Sequence, residues 1–207
     1  MPFDAAIFDF DETMIDLEAQ HTFASSSLAT EMGCDYMQMP QSFRHRSGFR
    51  VIDDVADMRE FFGWTQSLDQ LLAIRQRHFD RACRDAELTL MRGVDESVRM
   101  LHAAGYRLAI ASSAVGDAID EILRRVGLRE CFELIIDGSA VTRGKPDPQA
   151  YLITASRLGI PPSRCIVFED SNVGVVAAKR AGMYCVAVRN KRAHFPQDLS
   201  PADVIVE

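Results

Sequence analysis

The chain of 207 residues is 47% hydrophobic and 26% charged, ordinary for a soluble globular protein and ample for a substantial core. Its formal net charge of −7 argues against the broadly basic surface of a general nucleic-acid binder, and no segment approaches the roughly 18 unbroken apolar residues of a membrane span. Five cysteines stand singly without a CxxC pair, and the N-terminus is acidic where a signal peptide would be basic, so the expectation is a reduced, cytoplasmic, monomeric protein with no nucleic-acid or membrane partner.

Residues 5–10 form a short apolar run that ends in acids and read as a buried strand opening into a polar loop. From there to about residue 92 no strand is expected. Residues 17–32, 51–62 and 68–86 carry helical patterns instead. The rhythm then changes. Helices are expected over 95–104, 117–126, 148–158 and 172–181, each stopping at a glycine: Gly105, Gly127, Gly159 and Gly182. Strands are expected over 107–112, 133–137, 164–168 and 184–188, with a short one over 202–206. Such alternation predicts an α/β fold, a Rossmann-like parallel sheet covered on both faces, with an α-helical domain inserted after the first strand. The expected boundaries are 1–13 and 93–207 for the α/β core and 14–92 for the helical insertion.

Four short segments carry the chemistry: Asp9-Phe10-Asp11-Glu12-Thr13, Ser112-Ser113, Gly144-Lys145-Pro146-Asp147-Pro148 and Glu169-Asp170-Ser171-Asn172. Three follow expected strands, and in a parallel sheet ligands bind beyond the C-terminal strand ends. Asp9, Asp11, Glu169 and Asp170 would therefore converge. Bare carboxylates so placed repel one another, and a hard divalent cation such as Mg²⁺ relieves the repulsion. A metal beside a lysine suits a phosphoryl group, and a carboxylate can attack phosphorus to form an acyl phosphate. Only three lysines exist, Lys145, Lys179 and Lys191, so the lysine role has few candidates.

The order and spacing of these segments resemble the haloacid dehalogenase superfamily, in its phosphatase and phosphoglucomutase-like branch. The resemblance spans essentially the whole chain, and its strength lies in four individually weak motifs occurring in sequence. It implies Asp9 as nucleophile, Asp11 as general acid and then base, and Ser112 with the backbone N–H of Ser113 as phosphoryl ligands. It implies Lys145 as the cation on Asp9 and the phosphoryl group. Mg²⁺ would lie on Asp9, Asp170 and the Asp11 carbonyl, with Glu169 beside it, and Thr13 would steady the loop. One position departs: the family usually has glycine where Glu12 stands.

The resemblance implies hydrolysis of a small phosphorylated metabolite, such as a sugar phosphate. A sugar-phosphate mutase is the alternative, since residues 46–55 resemble that branch around Gly48 and Asp53. The mutase has an arginine where Val51 stands and a lysine in its cap, and this cap has none. A catalytically silent binding protein is the alternative of another class, and the intact Asp9, Asp11, Lys145 and Asp170 argue against it. Arg44, His45, Arg46 and Arg50 cluster in the insertion, and Arg44, Arg46 and Arg50 are candidates for gripping a distal anionic group, as arginine grips carboxylate or phosphate. Arg75, Arg77 and His78 are expected on helix exteriors; His21 is expected on a helix surface, with lining of the cleft as the alternative.

Overall fold

The computed structural model describes residues 2–44, 46–114, 118–190 and 197–207; His45 and the expected helix start at Asp117 lie outside them. Strand β1 (Ala5–Phe8) is followed by three helices, α1 (Glu18–Glu31), α2 (Val51–Phe62) and α3 (Leu68–Asp85). The α/β alternation follows: α4 (Val94–Ala103), β2 (Arg107–Ala111), α5 (Ala118–Arg125), β3 (Leu134–Ile136), α6 (Gln149–Leu158), β4 (Cys165–Glu169), α7 (Asn172–Arg180), β5 (Tyr184–Val188) and β6 (Val204–Val206).

All six strands pair in parallel, in the order β3-β2-β1-β4-β5-β6. β1 is central, with Ile7 level with Ala109 on one side and Val167 on the other. Its four residues, Ala-Ala-Ile-Phe, are apolar throughout because both faces are covered. One face packs Ile7, Ala109 and Val167 against Tyr151 and Leu158 of α6 and Val175 and Ala178 of α7. The other packs Phe8, Leu108 and Ile110 against Val98 of α4 and Ile119, Ile122 and Leu123 of α5. Succession moves outward through β2 and β3, then crosses to β4, so the topological switch lies between β1 and β4, where a crevice opens.

The helical block has an interior of its own, built from Leu28, Tyr36, Val51, Val55, Met58, Trp64 and Leu71. It is not detached. Ala24, Phe79 and Cys83 join the sheet-face core that holds Phe10, Met14, Ile15 and Leu17. The two connections run side by side: Met91 N–H donates to Met14 O at 2.9 Å and Asp16 N–H to Thr89 O at 3.3 Å. No described helix is long and apolar enough to cross a membrane, and all five cysteines are free thiols.

Candidate active site

Asp9 is the first residue past β1. Its N–H still donates to Phe168 O of β4 at 2.9 Å, which fixes its backbone at the switch point. Its Oδ1 accepts from Lys145 Nζ at 2.5 Å, and the same ammonium donates to Glu169 Oε1 at 2.6 Å. Both ion pairs are almost fully buried. Burial alone would make Lys145 give up its proton, but the two carboxylates outweigh it and push the ammonium's pKa up.

Glu169 ends β4 with every oxygen engaged. Oε1 also accepts from Tyr151 Oη at 2.9 Å, and Oε2 accepts from the Ser171 N–H at 2.9 Å and its Oγ at 3.0 Å. The carboxylate lies against the first turn of α7, where a Cβ on Gly174 would meet Oε1 at 1.7 Å. Glycine is required there by the close approach. Asp170, one residue on, accepts from Thr13 Oγ1 at 2.9 Å through Oδ1, so the 9–13 loop and the end of β4 are tied together.

Asp9, Glu169 and Asp170 offer oxygens that lie within 4.8 Å of one another, all buried. Burial, then repulsion from Glu169 and Asp11, pushes Asp9 up to about 7 against the pull of Lys145. Burial, then repulsion from Glu169 and Asp9, pushes Asp170 well above the carboxylate range. Three buried carboxyls facing one ammonium are short of positive charge, and a hard divalent cation fits that all-oxygen set. Glu169, already holding four hydrogen bonds, has the least to offer it.

Asp11 faces the other way. Its Oδ1 lies 3.2 Å from His21 Nε2, and Ser112 Oγ donates toward Oδ2 at 3.4 Å. Ser112 Oγ in turn accepts from the Ala114 N–H at 3.0 Å. Beyond His21, Arg75 Nη2 lies 2.9 Å from Nδ1. Arginine has no acceptor, so Nδ1 accepts and Nε2–H donates to Asp11. Burial would lift the Asp11 carboxyl, but His21, Lys145 and Arg75 outweigh it and hold it below its ordinary value.

These groups open into a cavity of about 450 Å³ between sheet edge and helical block. The block closes on it through three contacts. Ser113 Oγ donates to Gly48 O at 2.8 Å, and Ser47 Oγ reaches Asp170 Oδ2 at 3.4 Å. Arg50 Nη1 donates to Val141 O at 3.2 Å and Thr142 O at 2.9 Å. Gly48 has φ +82°, and a Cβ there would meet Ser171 Oγ at 2.4 Å. Only glycine lets the block come this close.

The motif residues converge as the sequence implied: Asp9, Asp11, Ser112, Ser113, Glu169 and Asp170 from strand ends, and Lys145 from the segment ahead of α6. The insertion does not follow expectation. Arg44, Arg46 and Arg50 do not converge on the cavity. Arg44 Nη1 lies 2.9 Å from Met37 Sδ, and Arg44 is not among the lining residues. Arg50 is spent on Asp53, at 2.9 and 2.7 Å, and on the loop after β3. Arg46 lines the cavity, but Asp54 and Asp57 hold it at 2.5 Å each. Carboxylates of α2, Asp53 for Arg50 and Asp54 and Asp57 for Arg46, had first claim on these two guanidiniums.

Arg75 corrects the expectation of a helix exterior, and His21 takes the alternative position lining the cleft. Arg75 is 4% exposed, and both line the cavity. The signal was present as a charged residue interrupting the buried Leu71, Phe79 and Cys83 stripe of α3 at intervals of four. His21 similarly precedes Ser25 and Leu28 on the buried face of α1.

Comparison with known proteins agrees with this geometry. The family model described as haloacid dehalogenase-like hydrolase matches residues 6–188. The validoxylamine A 7′-phosphate phosphatase of Streptomyces hygroscopicus subsp. limoneus is 31% identical over 203 residues, covering 98% of this chain and 92% of its own. A phosphorylated carbohydrates phosphatase of Thermotoga maritima is 30% identical over 190 residues, covering 87% and 82%. The crystal structure of β-phosphoglucomutase from Clostridium difficile superposes with a TM-score of 0.84 at 22% identity over 99% of this chain and 91% of that one, a likeness of fold.

Proposed function

This chain belongs to the haloacid dehalogenase-like hydrolase family, and we propose that it is a Mg²⁺-dependent phosphatase that hydrolyses a small phosphate monoester through an aspartyl phosphate on Asp9. The observation that carries the reading is the division of labour between two aspartates two residues apart. Asp9 is locked to Lys145 at 2.5 Å, while Asp11 faces a proton-bearing ring at 3.2 Å and the cavity. The matched relatives that are named phosphatases support the same reaction class.

In this reading an Asp9 oxygen forms a bond to phosphorus as the ester P–O bond breaks. Lys145 holds the other Asp9 oxygen and balances charge on the phosphoryl group. The Ser112 hydroxyl and the Ser113 N–H bind phosphoryl oxygens. Asp11 delivers its proton to the departing alkoxide; the approaching dianion is what raises its carboxyl enough to carry one. Asp11 then takes a proton from water as that water attacks phosphorus, and the P–O bond to Asp9 breaks to free phosphate. Asp9, Asp170 and the Asp11 carbonyl would hold Mg²⁺, which supplies the positive charge that lets an anionic ester approach a carboxylate. Glu169 positions Lys145 and Ser171.

Residues 14–92 act as the cap and residues 1–13 with 93–207 as the core that carries the chemistry. Val51, apolar and 8% exposed, stands where the mutase branch has arginine, which supports hydrolysis. The test is phosphate release from p-nitrophenyl phosphate with and without Mg²⁺, and trapping of a hydroxylamine-sensitive phosphoenzyme. Turnover undiminished in excess chelator, or a phosphoenzyme surviving in Asp9→Asn, overturns the proposal.

A further inference from the structure

The end of the cavity away from Asp9 is built from the helical block. Two of its charged side chains are left with open hydrogen-bonding capacity. Arg75 has five N–H groups. Nε donates to Ser25 Oγ at 3.2 Å and Nη2 to His21 Nδ1 at 2.9 Å. Nη1 has no partner among the described residues, yet it is not among the buried atoms sealed without one. Arg75 is 4% exposed and lines the cavity, so what Nη1 presents, it presents there. Asp54 is the counterpart. Arg46 donates twice to its Oδ1, at 3.0 and 2.5 Å, and Oδ2 accepts from nothing among the described residues. Asp54 lines the same cavity.

The two groups feel each other's charge without pairing. Asp54 is the chief attraction opposing burial at Arg75, and Arg75 is among the cations acting on Asp54. A buried guanidinium with open donors is costly until an acceptor arrives, and a half-used carboxylate wants a donor. A hydroxyl group is both. Beside them stand Val51 and Met58, an apolar face of the kind that covers the C–H side of a polyol, and the Tyr36 ring.

Charge decides against a second anionic group. Arg46 is already bridged to Asp54 and Asp57, and Arg75 feels the Asp54 carboxylate, so neither guanidinium stands as a bare positive charge. A second phosphoryl or carboxylate would meet one open guanidinium with the Asp54 carboxylate next to it. Neutral hydroxyls meet no such penalty.

We propose that Arg75 Nη1 and Asp54 Oδ2 form the specificity site for the leaving group, reading hydroxyls of a polyhydroxylated monophosphate distal to the phosphorus and disfavouring substrates with a second anionic group. This rests on the phosphatase reading. It assigns substrate choice to α3 and α2 residues, and not to the Arg44–Arg46–Arg50 cluster.

The test measures kcat/KM with Mg²⁺ for p-nitrophenyl phosphate, a panel of hexose, pentose and alditol monophosphates, phosphoglycolate and fructose 1,6-bisphosphate. The expected wild-type order puts the best polyhydroxylated monophosphate at least tenfold above phosphoglycolate and the bisphosphate. Asp54→Asn turns the open acceptor into a donor at constant shape. It should cut the best polyol monophosphate roughly 5- to 100-fold, the range for one unsatisfied buried partner, and p-nitrophenyl phosphate by much less. Arg75→Gln should lower the same ratio; because Arg75 also touches His21, the ratio and not the absolute rate is read. Melting temperatures identify a variant that fails to fold, and Asp54→Ser then replaces Asp54→Asn. Equal losses on both substrates in the Asp54 variant, or a wild type that prefers the bisphosphate or phosphoglycolate, overturns the specificity site while leaving the phosphatase standing. A wild type that releases phosphate from none of them, p-nitrophenyl phosphate included, removes both.

Discussion

The two ends of the cavity are built on different principles. At the sheet end, Asp9 and Glu169 are placed by backbone: each sits at a strand terminus whose register is fixed by parallel pairing, and each of their partners follows from that. At the helical end, His21, Asp54 and Arg75 are placed by which face of a helix packs inward, and nothing in the sheet dictates that. At the sheet end Glu169 is saturated by four hydrogen bonds; the helical end keeps open donors and acceptors. On the proposed function, chemistry that must not vary is on the sheet, and recognition that can vary is on the helices.

The sharpest way to break this contrast is at the sheet end. Asp9→Asn keeps shape and burial but removes the attacking charge, so kcat should fall by at least about a thousandfold on every substrate, p-nitrophenyl phosphate included. Steady-state assay and phosphoenzyme trapping check it. Substrate-dependent loss would mean that this end also discriminates.

Next in size is Lys145→Met. It leaves Asp9 and Glu169 buried without their shared cation, and breaking such a buried pair costs about 3–5 kcal/mol. Thermal melting should drop by roughly 6–20 °C in a chain of this size. Adding Glu169→Gln should recover part of the melting temperature and none of the activity. If the single variant melts like wild type, the sheet end is less rigidly determined than its hydrogen bonds indicate.

Gly48→Ala tests the seam between the ends. The new Cβ would stand 2.4 Å from Ser171 Oγ at φ +82°, so the block must back away. Because Gly48 lies at the seam and outside the hydrophobic interiors of both parts, the loss should appear in kcat/KM, about tenfold, with melting changed by a few degrees at most. Equal loss of stability and activity would mean that the seam is ordinary core and not a closing contact.

The difference between the ends is also the difference in what could be read from sequence. Asp9, Asp11 and Asp170 are legible because the strand signal is local: a short apolar run, then acids, and the motif lands at the strand end without further information; Lys145 is legible only from its Gly144–Pro148 setting ahead of a helix. The glycine stops at Gly105, Gly127, Gly159 and Gly182 are legible for the same reason, and each takes the left-handed backbone expected of it. The helical end is a tertiary fact. Arg75 on a helix of mixed polarity gives two faces, and only the packing of α3 on α1 selects the buried one. Arg46 and Arg50 looked available because their acidic partners, Asp54, Asp57 and Asp53, lie on the following helix, where orientation and not proximity in sequence decides pairing.

The smallest effect tests whether the two ends are mechanically joined at Glu12. This residue has φ +62°, the one positive value for a residue other than glycine among the described residues. A side chain there costs on the order of 1–2 kcal/mol. Something must offset it, and the carboxylate supplies a candidate: Oε1 accepts from the Leu17 N–H at 3.0 Å, just ahead of α1, and Oε2 from Asn190 Nδ2 at 3.1 Å, past β5. Glu12 thus ties the catalytic loop to the helix that carries His21 and to the segment after the sheet. Glu12→Gly relieves the backbone strain but gives up both bonds, about 0.5–1.5 kcal/mol each, and adds freedom to the unfolded chain worth about 0.4–1 kcal/mol. The losses exceed the relieved strain by only about 1 kcal/mol, so melting should fall by a few degrees. Activity should not be offset in the same way. With the start of α1 released, His21 holds Asp11 less firmly, and kcat on p-nitrophenyl phosphate should fall several-fold with KM nearly constant. Glu12→Gln, which keeps one acceptor and the left-handed strain, should melt within a few degrees of Glu12→Gly while retaining more of kcat. If the two variants lose kcat equally, Glu12 is a loop residue with no part in positioning His21 and Asp11.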